Sequence, residues 1–142
     1  MSAADLQSSL ASYFASKPNV VSAYLFGSRA LNRTHAQSDV DVGVLLNVKV
    51  YWTAKDRAAA AVRMNAEIVG VTHVNEVDVV VLNDVTPELG ATIVTTGERL
   101  HCVDEEIDRA AVRRLIFAYA DLRPFLERTR RLKLASFKAD RT

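Results

Sequence analysis

The sequence predicts an α/β (α+β) fold: a small mixed β-sheet flanked by helices, with a long helix at the C-terminus. Three observations lead there. Segments with helical apolar spacing alternate with short runs of β-branched and aromatic residues. One helical segment separates the second and third of those runs, which permits the crossover that a parallel strand pair requires. The chain has 142 residues, 49% of them apolar and 25% charged, which fits one compact domain over 1–142 with a real core.

In chain order, Leu6, Leu10, Tyr13 and Phe14 fall at helical spacing with Asp5 as the expected cap, and Pro18-Asn19 ends that segment. Val20 to Phe26 reads as a strand stopping at Gly27-Ser28. A polar connection to Ser38 has room for a short helix. Asp39 to Leu46 reads as the second strand, and Lys55 to Val69 as an amphipathic helix through Ala59, Val62, Ala66 and Val69, stopped at Gly70. Val77 to Leu82 is the third strand. Thr86 before Pro87 starts a helix carrying Leu89 and Ile93 that Gly97 closes. After an extended piece over Leu100 to Val103, Asp104, Glu105 and Glu106 cap and charge a long helix carrying Ile107, Ala111, Leu115 and Leu122. Pro124 is expected to kink or break it.

A formal charge of +1 gives no global footprint of a nucleic-acid binder, so direct nucleic-acid binding is not expected, although the tail from Arg128 onward is locally basic. The one cysteine, Cys102, forms no internal disulfide and makes no structural zinc site with three scattered histidines, which points to a reducing cytoplasm. The first residues lack the pattern of a secretory signal, and no stretch approaches the ~20 apolar residues of a membrane span. No membrane partner is expected.

The chemistry is concentrated in a few positions. Side chains two apart on a strand share a face, so Asp39 and Asp41 point together while Val40 and Val42 point the other way. Two adjacent carboxylates repel unless a cation neutralises them, and hard oxygen ligands of this kind suit magnesium. Asp78 opens the third strand inside an apolar run and is expected to need a partner or a metal. If the second and third strands are parallel and the first is antiparallel to them, Gly27-Ser28 and all three aspartates meet at one edge of the sheet. Those are the parts of a phosphoryl-transfer site. A glycine lets phosphate approach the backbone, and carboxylates hold two metal ions about 4 Å apart.

At these residues the sequence resembles the DNA-polymerase-β-like nucleotidyltransferases, whose signature is Gly-Ser, a ten-residue spacer and Asp-x-Asp. Here these are Gly27-Ser28, Arg29 to Ser38, and Asp39-Val40-Asp41. FGSRA, SDVDVGVLL, VDVVVLNDVTPEL and TGERLHCVD are similar to the minimal nucleotidyltransferases, the MntA-like antitoxins, over Tyr24 to Asp104. One departure is Leu31-Asn32-Arg33, where related chains often carry a glycine. The resemblance implies the nucleotidyltransferase fold and a catalytic and metal-binding set of Asp39, Asp41 and Asp78, with Asp78 helping to deprotonate the acceptor. Gly27, Ser28 and Arg29 would hold the triphosphate. It also implies ATP as substrate, two Mg2+ ions, and transfer of AMP to a tyrosine hydroxyl of a partner HEPN ribonuclease toxin.

Bland readings stand beside these. Arg29 is equally a surface residue, Ser38 shapes a turn, Glu76 is structural, and Cys102 is a small buried apolar residue. Trp52 is expected in core or rim packing before stacking on a base. His73 and His101 are read as surface or packing residues. Arg29 and His35 match the spaced Arg and His of HEPN ribonucleases, but that pair belongs on a helical bundle and here lies between strands. Two alternatives to protein modification are a small-molecule acceptor such as an aminoglycoside, and an antitoxin that works by binding alone through its C-terminal helix.

Overall fold

The structure, a computed structural model, describes residues 2–27 and 40–140, with side chains as far as residue 136. The connection between Gly27 and Val40 lies outside the described residues, and with it the expected short helix, Leu31-Asn32-Arg33, His35 and Ser38.

Strands β1 (Val20–Phe26), β2 (Val40–Leu46), β3 (Val77–Val81) and β4 (Glu98–Cys102) form one sheet in the order β3-β2-β1-β4. β1 is antiparallel to both β2 and β4, and β2 is parallel to β3, so the sheet is mixed as expected. Helices α1 (Ala3–Ala15) and α2 (Ala54–Thr72) cover one face, where Leu6, Leu10, Phe14, Met64 and Ile68 pack on Val40, Val42 and Val44. Helices α3 (Pro87–Thr96) and α4 (Glu105–Asp140) cover the other, where Ile93 and Ala111 meet Val21, Tyr24 and Leu45. Burying a side chain of this size contributes roughly 1.5–3 kcal/mol, so these two apolar layers fix the strands that carry the site.

Local chemistry explains the ends of the helices, with some departures from expectation. α1 is capped by Ser2 rather than Asp5: the Ser2 hydroxyl accepts from the Asp5 N–H at 3.1 Å, and the Asp5 carboxylate accepts from the Ser2 N–H. α2 runs past Gly70 to Thr72, and exposed His73 ends it in the left-handed conformation (φ 59°). Its buried face is Ala60, Ala61, Met64, Ile68 and Thr72, not Ala59, Val62 and Ala66; Val62 is 71% exposed. The alanine run fits either phase, and the larger Met64 and Ile68 bury more area and decide it. In α4, Ala111 and Leu115 are buried as expected, whereas Ile107 and Leu122 are exposed. α4 also runs unbroken through the exposed Pro124, which removes one backbone hydrogen bond and crowds the carbonyl of Ala120 without ending the helix.

A polar network pins the first turn of α4 to the sheet. Asp108, 4% exposed, accepts from the Tyr24 hydroxyl at 2.8 and 3.0 Å and from Arg99 at 3.1 Å, while Arg99 also grips Glu105 with two bonds of 2.8 Å. Burial, then the bond to Asp108, pushes the Tyr24 hydroxyl well above its usual range, so it stays a donor. Tyr24→Phe removes one donor from a buried carboxylate and is expected to cost about 1.5 kcal/mol, seen as a Tm lower by about 5 °C in thermal unfolding.

Candidate active site

The sheet register brings the candidate residues together. Phe26, the last residue of β1, lies opposite Asp41, and Asp41 lies opposite Asp78 on the parallel neighbour. Gly27 follows Phe26 directly. Three of the expected residues, Gly27, Asp41 and Asp78, thus converge at one end of the sheet from three adjacent strands. The Val40 N–H donates to the Glu76 carbonyl at 3.0 Å, which extends the β2–β3 ladder beyond the first residue of β3. Ser28, Arg29 and Asp39 lie outside the described residues.

Gly27 has φ +78°, in the region that side-chain-bearing residues avoid. A Cβ there would stand 2.6 Å from Asp41 Oδ2, so the missing side chain is what allows the turn to pass against the carboxylate. Asp41 is half-buried and Asp78 is exposed. The expectation that Asp78 sits in a buried run is therefore corrected. β3 is an edge strand, and only Val77 of its five residues is buried. Desolvation does not force a partner on Asp78; it stands open to whatever approaches that edge.

Beside the two aspartates is a cleft of about 450 Å³ lined by Asn65, Val69, Asn75, Glu76 and Val77 together with Asp41 and Asp78. Asn65 and Asn75 escaped sequence reasoning because no short motif ties a mid-helix asparagine to a strand about ten residues on. Glu76, read as structural, contributes to the wall. Among the described residues one other acidic group clusters closely: Cys102, Glu105 and Asp108, with ligand atoms within 4.8 Å of one another. The Arg99 and Tyr24 bonds already satisfy its carboxylates, and burial raises the Cys102 thiol, keeping it protonated as an inert residue. His101 is half-buried and stacks against Phe14, with ring centroids 6.3 Å apart. Trp52, expected in core or rim packing, is 78% exposed.

Relatives of known structure share this frame. A toxin–antitoxin crystal structure with AMP-PNP superimposes with a TM-score of 0.63 at 20% identity, over 87% of this chain and 97% of that one. The MntA–HepT toxin–antitoxin gives 0.61 at 18% identity, over 87% and 96%. A tri-AMPylated HEPN toxin from Shewanella oneidensis in complex with its MNT antitoxin gives 0.60 at 18%, over 89% and 98%. No curated protein matches the sequence. Among the described residues, no helix is long and apolar enough to cross a membrane. Residues 8–106 match the family described as Polymerase beta, Nucleotidyltransferase, so the chain belongs to the polymerase-β nucleotidyltransferases.

Proposed function

We propose that this chain is a magnesium-dependent nucleotidyltransferase acting as an antitoxin, a single domain over 1–142 that transfers AMP from ATP to a tyrosine hydroxyl of a partner HEPN ribonuclease toxin in the cytoplasm. The observation that carries this reading is the row formed by Gly27, Asp41 and Asp78 at one end of three adjacent strands. The similar complexes with AMP-PNP and with a tri-AMPylated toxin support the choice of nucleotide and acceptor.

The residues present fit a hard divalent cation. Two carboxylates stand side by side across a parallel strand pair, and the turn that passes them lacks the Cβ that would crowd Asp41. Asp41 and Asp78, with Asp39, would hold Mg2+; when bound it supplies neutralisation of the triphosphate and of charge developing at the reacting oxygens. The open backbone at Gly27 admits a phosphate, with Ser28 and Arg29 assigned to the triphosphate. The acceptor oxygen forms a bond to the α-phosphorus, the bond to pyrophosphate breaks, and Asp78 takes the hydroxyl proton. Its exposure on an edge strand suits a macromolecular acceptor that arrives from outside and completes the site with its own surface.

Incubating the chain with α-labelled ATP, magnesium and its cognate HEPN toxin should label the toxin and release pyrophosphate, and replacing the acceptor tyrosine with phenylalanine should abolish the label. A folded chain that transfers nothing to the cognate toxin in the presence of magnesium overturns the proposal.

A further inference from the structure

α4 is longer than the domain needs. Its 36 residues span about 54 Å, and its packing against the sheet and α3 is concentrated in the first half. Ala111, Ala118, Phe125 and Leu132 recur every seven residues along one edge of the helix. Their burial falls steadily along that edge. Ala111 is buried and Ala118 half-buried, while Phe125 and Leu132 are 64% and 65% exposed. Phe125 and Leu132 thus form an exposed apolar seam beside the face of α4 that turns toward the domain, which runs through Asp108, Ala111, Leu115, Leu126 and Thr129; no described residue of this chain covers that seam.

The flanks of that seam are basic. From residue 109 to 136 there are eight Arg or Lys against two acids, in a chain whose net charge is only +1. Arg128 and Arg131 border Phe125 and Leu132 on the outer side of the helix. Arg130, on the other side, is bonded to Glu88 of α3 at 2.6 Å, which ties this part of α4 to the domain.

We infer that the second half of α4 is a docking face for an acidic amphipathic helix of the partner protein; the identification of that partner as the HEPN toxin rests on the proposed function. Heptad spacing is the geometry of helix against helix, with the apolar seam between the two and charges at its edges. A second copy of this chain is disfavoured, since pairing two such helices would set arginine rows against each other. A nucleic acid would use the arginines but leave Leu132 on a convex surface with nothing apolar to cover it.

The test is calorimetric titration of the chain with its cognate HEPN toxin carrying an inactivated ribonuclease site, comparing wild type, Phe125→Glu with Leu132→Glu, Phe125→Ala with Leu132→Ala, and Arg128→Glu with Arg131→Glu. Circular dichroism checks that each variant keeps its helix content; the alanine pair covers the case in which the glutamate pair does not fold. Weakening of Kd by about 30-fold or more in both the apolar and the arginine variants is the expected result. Wild-type binding with unchanged affinity in the variants overturns this inference and leaves the proposed function standing. Failure of the wild type to bind the toxin overturns both. Loss of binding in the arginine variant alone, or competition by single-stranded RNA at similar affinity, overturns the helical seam. So does a dimer of the free chain, seen by light scattering, that the Phe125 and Leu132 variants dissolve.

Discussion

Asp41→Asn is expected to lower nucleotidyl transfer by on the order of 10³-fold or more while leaving the fold intact. Asparagine keeps the shape of the side chain and removes the charge, so the loss isolates electrostatics from packing. Asp41 occupies the middle strand of the three that build the site, with Gly27 on one side and Asp78 on the other, and no other described carboxylate shares that position. Addition of magnesium with a non-hydrolysable ATP analogue should raise the Tm of the wild type and not that of the variant, since only a ligand bound to the native state stabilises it. The same variant separates catalysis from simple masking. If, under the proposed antitoxin role, Asp41→Asn still silences the toxin at ordinary expression, binding suffices.

Gly27→Ala should have the second largest effect, by a different route. The added methyl meets two penalties: a left-handed backbone that costs a non-glycine residue roughly 1–2 kcal/mol, and an atom 2.6 Å from Asp41 Oδ2. Either the turn or the carboxylate must move. A displacement of about 1 Å at a reacting centre can cost about 10²-fold in rate, so kcat should fall by about that factor while the loss of Tm stays within a few degrees. A normal kcat with a reduced Tm would mean that the turn yields and the carboxylate keeps its place. Steady-state kinetics and thermal unfolding on the same preparation distinguish the two.

Much of this site is legible from residue order alone, because it depends on period-two geometry. The alternation in Asp39-Val40-Asp41-Val42 assigns Val40 and Val42 to the core, and both are fully buried. A helix between β2 and β3 permits the parallel crossover, and the register then aligns Asp41 with Asp78. Other features depend on contacts between residues distant in the chain, which no local pattern carries. The face of α2 turned on whether Met64 and Ile68 or the smaller Ala59, Val62 and Ala66 buried more area. The exposure of Asp78 turned on β3 being an edge strand, which follows from where β1 and β4 pair and from nothing within Val77–Val81. Asn65 reaches the cleft wall through the placement of α2 against β3, and Asn75 from the connection between them.

The pairing of β2 with β3 has a further consequence for how errors in folding are handled. Sliding one strand past the other by a single residue would turn Asp78 toward the apolar layer of α1 and α2 and bring a valine out in its place. Placing an unpaired carboxylate in that layer costs several kcal/mol, so the misaligned chain is driven off by the same substitution of side chains that would have disarmed it. Alignment of the strands and competence of the site are therefore selected together: a molecule that has this sheet in the wrong register is an unstable one before it is an inactive one.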